Sequence, residues 1–197
     1  MALHHVNVPV ILQTVVDAEI CAVLMSALQG CPVEDCGGSP SNIVVAVAAG
    51  LAQLHALPIK SCPFDESIEI RLARAQADIC RGRIDPREFH ERNLGLSLKQ
   101  LFDRLLATAP SSEDIVVVHG DATFTNLLID STGTLGFIDC GHAGRADRYT
   151  DLALVAMEIE DRFGHEWVGP FFKAYGFDSH SPDQRKLRFY YDLYELF

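Results

Sequence analysis

The sequence has 197 residues, of which 48% are hydrophobic, so it can bury one sizeable core and is not a disordered chain. Its formal net charge of -11 disfavours nucleic acid as a partner and favours cations, although an acidic surface that only keeps a protein soluble has the same charge. No apolar run approaches the ~20 residues that span a bilayer, and no basic region precedes the first apolar run. We therefore expect a cytoplasmic protein with neither a membrane anchor nor a signal peptide.

The first 30 residues have the composition of a β-hairpin. Two β-branched, apolar stretches, residues 8–16 and 20–27, are separated by Asp17, Ala18 and Glu19, which form the predicted turn. Residues 31–40 contain glycine and proline, and we expect a loop there. The six cysteines lack the spacing typical of a zinc site, so we expect reduced thiols.

Helical patterns fill most of the remaining chain. Ser39 or Ser41 is expected to cap the first helix. His55 lies on the apolar side of that helix, where a histidine is more often buried and hydrogen-bonded than a ligand. Ser181 is expected to cap the last helix. Four further helices are predicted at residues 65–81, 98–105, 150–163 and 166–175. The chain therefore predicts an α+β fold that is mostly helical.

Three short apolar runs, residues 115–118, 127–129 and 135–138, are typical of buried strands. Polar side chains follow them: Asp121 and Asn126 lie between the first two runs, and Asp139 follows the third. A rigid scaffold of strands can hold such side chains together. Kinases use an Asp to accept the proton of the attacking hydroxyl, an Asn five positions later on a metal ion, and a second metal-binding Asp in an Asp-Phe-Gly turn.

That spacing predicts phosphoryl transfer, with Asp121 as the catalytic base and with Asn126 and Asp139 as magnesium ligands, since hard oxygen ligands suit magnesium better than zinc. The alternative is a hydrogen-bonded turn between strands that has no chemical role.

Several motifs together resemble the aminoglycoside 3'-phosphotransferases, which share the protein-kinase-like fold. They are His-Gly-Asp at residues 119–121 with Asn126, Gly-Phe-Ile-Asp-Cys-Gly at 136–141, Gly-Arg-Ala-Asp-Arg-Tyr at 144–149, Asp-Leu-Ala at 151–153, Cys-Pro-Phe at 62–64 and Glu-Leu-Phe at 195–197. The resemblance implies that ATP phosphorylates the 3'-hydroxyl of an antibiotic and so confers resistance. It also implies that Asp151 holds the backbone of the catalytic loop.

The same resemblance assigns residues that bind the nucleotide and residues that bind the substrate. Residues 1–30 would be a remnant of the N-terminal lobe, with a hinge whose Ser26 and Leu28 backbone groups bind the adenine of ATP, and residues 31–197 would be the C-terminal lobe. Asp161, Glu195 and the terminal carboxylate of Phe197 would receive the ammonium groups of a cationic aminoglycoside. Glu88 and Glu91 would add negative charge there, or would be ordinary surface acids.

The sequence departs from the family in three respects. Tyr194 stands where many members have an Asp, and His142 stands where an Arg usually follows the metal turn. No glycine precedes Gly30 and no lysine precedes Lys60, so the Gly-rich loop and the phosphate-binding lysine of a kinase are not found. We therefore expect a chain without most of the N-terminal lobe. The alternatives are an inactive kinase-like remnant, or a kinase of another small alcohol such as choline or homoserine. The oligomeric state stays open.

Overall fold

A computed structural model describes residues 6–17, 19–177 and 181–197. The predicted hairpin is present as the antiparallel strands β1 (Ile11–Val16) and β2 (Cys21–Met25), slightly shorter than expected. Ala18, in the predicted turn, lies outside the described residues. Every residue of both strands is exposed, so the hairpin buries neither of its faces within the described part of the chain.

Helices make up most of the structure, as predicted. They are α1 (Pro40–His55), α2 (Ile68–Cys80), α3 (Leu98–Thr108), α4 (Tyr149–Phe163), α5 (Val168–Tyr175) and α6 (Gln184–Tyr194). Ser39 is the N-cap of α1. The predicted cap of α6 was wrong: the Asp183 carboxylate accepts hydrogen bonds from the Arg185 and Lys186 amides and therefore caps the helix, whereas Ser181 lies two residues earlier.

Two small sheets lie at the centre. One has the order β3 (Cys31–Pro32), β5 (Leu127–Ile129), β6 (Leu135–Phe137), and the other pairs β4 (Ile115–Val118) with β7 (Gly144–Asp147). Strand β3 corrects the loop expected at residues 31–40, because Cys31 and Pro32 pair with β5. Strand β7 has no apolar run that would predict it. It forms because β4 pairs with it and because the Arg145 amide and carbonyl bond to Phe64 and Glu66.

Helix α1 packs directly on the first sheet. Its buried side chains join one core with those of α3, α4, α5 and α6. Gly50 lies at the contact, where an added Cβ would come within 2.5 Å of the Leu135 side chain on β6. Helix and sheet can approach this closely only because Gly50 has no side chain.

Within the described residues, no helix is long and apolar enough to cross a membrane.

We predict that Gly50→Ala destabilises the protein by about 1 to 3 kcal/mol, because overpacking outweighs the gain in helix propensity of at most ~1 kcal/mol. Gly169→Ala in α5 is the matched control, since an added Cβ there meets nothing within 4 Å. Urea unfolding should show a loss of stability for the first variant and none for the second. Equal behaviour of the two variants would mean that the α1 contact is looser than described.

Candidate active site

The site is built around the buried carboxylate of Asp151 in the first turn of α4. Its Oδ2 accepts a hydrogen bond from the His119 amide at 2.7 Å, and its Oδ1 accepts one from the Gly120 amide at 2.8 Å. The side chain of Asp151 is 0% exposed. These bonds confirm the predicted role of Asp151 in holding the loop backbone. At the start of α4, the Asp147 carboxylate accepts a hydrogen bond from the Tyr149 amide.

A second layer of hydrogen bonds holds Asp151 in turn. His55 Nε2 lies 3.1 Å from Asp151 Oδ2, and His55 Nδ1 lies 2.7 Å from the Tyr175 hydroxyl, which also accepts a bond from Arg148. Burial alone would raise the pKa of Asp151, but its bonds to His55 and to the His119 amide keep that pKa below the ordinary value. His55 is therefore the buried, hydrogen-bonded histidine that its position in the helix predicted.

The loop backbone between His119 and Asp121 has little freedom. Gly120 has a φ of +85°, and an added Cβ would lie 2.1 Å from the His142 carbonyl oxygen, so only glycine fits there. His119 Nε2 donates to the Ile138 carbonyl at 2.8 Å, and Nδ1 accepts from the Asp121 amide at 3.3 Å. The His119 ring thus ties the loop to the strand end that precedes Asp139.

The structure brings together the three residues predicted to perform the chemistry. Asn126 Nδ2 donates to Asp121 Oδ2 at 2.9 Å and to the Asp121 carbonyl at 3.0 Å. The Ile138 amide donates to the Asn126 carbonyl at 3.0 Å, so Asn126 is bonded to the residue that directly precedes Asp139. Asp139 is exposed, has a φ of 53°, and its carboxylate makes no hydrogen bond or ion pair with any described residue.

These contacts leave oxygens that fit a hard cation. Both side-chain hydrogen bonds of Asn126 use its Nδ2. Among the described residues, neither the Asn126 Oδ1 nor the Asp139 carboxylate has a protein partner. No group of three or more His, Cys, Asp or Glu in that part of the chain could hold a metal ion. A site of one carboxylate and one amide oxygen instead resembles a magnesium site, in which water and phosphate complete the coordination.

Two of the predicted substrate residues are linked to each other through His90. Glu195 accepts hydrogen bonds from the His90 amide at 3.0 Å and from Asn93 Nδ2 at 2.8 Å. Asp161 Oδ2 lies 3.0 Å from His90 Nε2. Glu88 lines the same cavity of about 200 Å³ as Glu195. An incoming cation would therefore meet acids that already have protein partners.

The third predicted substrate residue, Phe197, contacts an arginine that sequence patterns missed. The Arg71 guanidinium lies 4.3 Å from the centroid of the Phe197 ring, and its Nη1 donates to the Gly120 carbonyl at 3.3 Å. Arg71 is buried, which lowers the pKa of its guanidinium. Arg71 is a charged residue of the helix predicted at residues 65–81, and the sequence gives no sign that it is buried against the loop. The Arg74 guanidinium lies 3.4 Å from His142, so a cation does stand beside the residue that replaces the family's Arg.

The two residues predicted to bind adenine, Ser26 and Leu28, lie in different surroundings. The Ser26 amide donates to the Val10 carbonyl at 2.9 Å, and the Ser26 hydroxyl accepts from the Val10 amide at 2.9 Å. Of the two Ser26 backbone groups, the carbonyl makes no hydrogen bond with a described residue and is left for a ligand. Leu28 packs with its side chain toward Gly136, where an added Cβ would lie 3.0 Å from Leu28 Cδ1. Leu28 is half-buried beside β6.

A further acid, Glu158, lies near Asp121 and was not singled out from the sequence. Its Oε2 accepts a hydrogen bond from the Phe124 amide at 2.9 Å. Burial raises the pKa of Glu158, and the negative charges of Glu34, Asp161 and Asp121 raise it further. Near neutral pH the ionised Glu158 therefore lowers the stability of the folded protein, and perturbed pKa values of this kind are common at functional sites.

We predict that Glu158→Gln raises the melting temperature at pH 7 and that this gain disappears near pH 4. A raised folded-state pKa means that the stability contributed by the acid is present below its ordinary pKa and is lost as the pH rises through the raised value. The measurement is thermal unfolding of both proteins across this range.

Glu160→Gln, on the same helix, is the matched control with the opposite sign. Burial would raise the pKa of Glu160, but bonds from Arg92 and His165 keep it below the ordinary value. This variant should therefore lose stability at pH 7. The same sign of change for both variants would contradict the assigned electrostatics.

Comparison with known proteins agrees with this geometry. A sequence model of the phosphotransferase enzyme family, APH, matches residues 1–190. An aminoglycoside 3'-phosphotransferase from Escherichia coli is 37% identical over 164 residues, which is 83% of this chain and 59% of the relative. The chain thus spans less than two thirds of that relative's length.

Solved structures match over nearly the whole chain. The crystal structure of an aminoglycoside-3'-phosphotransferase of type VIII has a TM-score of 0.90 and 32% identity, and the match covers 100% of this chain and 76% of that one. Aminoglycoside phosphotransferase APH(3'')-Id from Streptomyces rimosus, in complex with ADP and streptomycin, has a TM-score of 0.85 and 26% identity, covering 99% of this chain and 77% of that one. The likeness includes the mostly helical α+β architecture, which confirms the predicted protein-kinase-like fold class.

Proposed function

This chain belongs to the aminoglycoside 3'-phosphotransferase family, and from that premise we propose that it carries the residues for ATP-dependent phosphorylation of the 3'-hydroxyl of an aminoglycoside, a reaction that confers resistance. The observation that supports the proposal is the arrangement of Asp121, Asn126 and Asp139 at one loop, whose backbone amides are hydrogen-bonded to the buried Asp151. In this scheme, residues 31–197 supply the catalytic lobe and residues 1–30 supply part of the nucleotide side.

Asp121 is the proposed base. Its Oδ2 is held by Asn126, so Oδ1 is the oxygen that would take the proton of the substrate hydroxyl. The loop cannot shift easily, because two of its amides bond to Asp151 and the His119 ring bonds to Ile138. Positioning of this kind supplies much of the catalysis of phosphoryl transfer.

Asn126 and Asp139 are proposed to hold Mg²⁺ with ATP through their free oxygens. When bound, the metal would neutralise charge on the phosphate oxygens. On the nucleotide side, the Ser26 carbonyl and the Leu28 backbone remain the proposed contacts to adenine. The acids Asp161 and Glu195, together with the terminal carboxylate of Phe197, are proposed to receive the ammonium groups of the substrate. The matching structure that contains ADP and streptomycin supports this class of ligands.

We predict that MgATP raises the melting temperature of the protein and that Asp139→Ala removes this shift, because the free carboxylate is the proposed metal ligand. Asp103→Ala is the control, since Asp103 is exposed on α3 and, among the described residues, pairs only with Lys99. The measurement is thermal unfolding with and without nucleotide and metal. A full shift in Asp139→Ala would remove Asp139 from the metal site.

We also predict that kanamycin binds with a micromolar to millimolar Kd and that binding weakens as salt is added, since screening shortens the reach of exposed charges to ~8 Å at physiological ionic strength. Asp161→Asn should weaken binding by about two- to fivefold, as expected for one exposed ion pair. Asp103→Asn should not change it. Isothermal titration calorimetry at two salt concentrations measures both effects, and binding that is indifferent to salt and to Asp161 would contradict the proposed acidic site.

A further inference from the structure

The Asp121 oxygen that we propose as the proton acceptor already has a protein partner. The Tyr194 hydroxyl, at the end of α6, donates to Asp121 Oδ1 at 3.3 Å, whereas Asn126 occupies Oδ2. A substrate hydroxyl that reaches Oδ1 must lie beside the phenol or take its place. The groups on the carbons next to the reacting hydroxyl then lie close to Tyr194.

The phenol is neutral in this position. Burial raises the pKa of Tyr194, and the negative charges of Asp121, Glu158 and Glu195 raise it further. A neutral hydroxyl can donate to or accept from an alcohol, but it cannot balance the charge of an ammonium group. Tyr194 therefore adds no negative charge directly beside Asp121 Oδ1. The charges of Glu195 and Glu158 lie on carboxylates that are held by His90, Asn93 and the Phe124 amide.

We propose that Tyr194 is a specificity-determining residue, which favours substrates that carry a hydroxyl rather than an ammonium group on a carbon adjacent to the phosphorylated one. This inference rests on the proposed function, because it takes Asp121 as the group that meets the substrate hydroxyl. It assigns to Tyr194 the choice among aminoglycosides, a role separate from the overall attraction of cations.

Kanamycin A and kanamycin B provide a matched pair of probes, since they differ only in a hydroxyl or an amine on carbon 2', next to the 3'-hydroxyl. Calorimetric titration of the 197-residue protein at a mildly acidic pH keeps that amine protonated. Tyr194→Phe removes only the hydroxyl and should weaken kanamycin A about fivefold, the effect of one hydrogen bond. Tyr194→Asp should shift the ratio of the two Kd values toward kanamycin B by about tenfold.

Tyr191→Phe is the matched control, because Tyr191 lines the same cavity as Tyr194 on the same helix but does not share the hydrogen bond that Tyr194 donates to Asp121. Its ratio of Kd values should equal that of the unmodified protein. A ratio that is the same in the unmodified protein and in both Tyr194 variants, with kanamycin still bound, would overturn the inference and leave the proposed function intact. Failure of the unmodified protein to bind either drug would overturn the proposed function and this inference with it.

Discussion

The active-site loop depends on one buried carboxylate. Asp151 has no contact with solvent, and its two oxygens accept bonds from the successive amides of His119 and Gly120. Burying a charge is costly unless it is paired and fully hydrogen-bonded, so His55 and the two amides must stay in place together. Movement of the loop would take away the two amide hydrogen bonds of this buried charge. Asp121 is thereby held next to Asn126 before any ligand arrives.

Charge is divided across the site in a way that suits its proposed ligands. Asp121, Glu158, Asp161 and Glu195 lie on one side, where burial raises the pKa of Glu158 and the charges of Asp161 and Asp121 raise it further. Arg71 and Arg74 lie on the other side, against the ring of Phe197. Arg71 also bonds to Gly120, so the C-terminal aromatic ring and the catalytic loop share one buried cation. The acidic side would attract the cationic substrate that we propose.

The features that local sequence predicted are those that depend on spacing and periodicity. The hairpin, the helices and the order of Asp121, Asn126 and Asp139 all belong to this class, as does the buried His55. Strands β3 and β7 could not be predicted, because they form through pairing with distant strands rather than through their own residues. The contacts of Arg71 with Gly120 and of Tyr194 with Asp121 could not be predicted for the same reason: α2 and α6 carry these side chains to the loop from 49 and 73 residues away. Sequence spacing located the chemical groups, and tertiary contacts decide what surrounds them.

The most direct test of the account is ATP-dependent phosphate transfer to kanamycin. Since no lysine precedes Lys60 and no glycine precedes Gly30, the chain should be assayed alone and fused behind the Gly-rich loop and lysine strand of a family member. We expect slow transfer alone and rapid transfer to the 3'-hydroxyl in the fusion. Asp121→Asn should then reduce the rate by ~10² to 10⁴-fold. A folded, nucleotide-binding fusion whose rate is unchanged by Asp121→Asn would contradict the account.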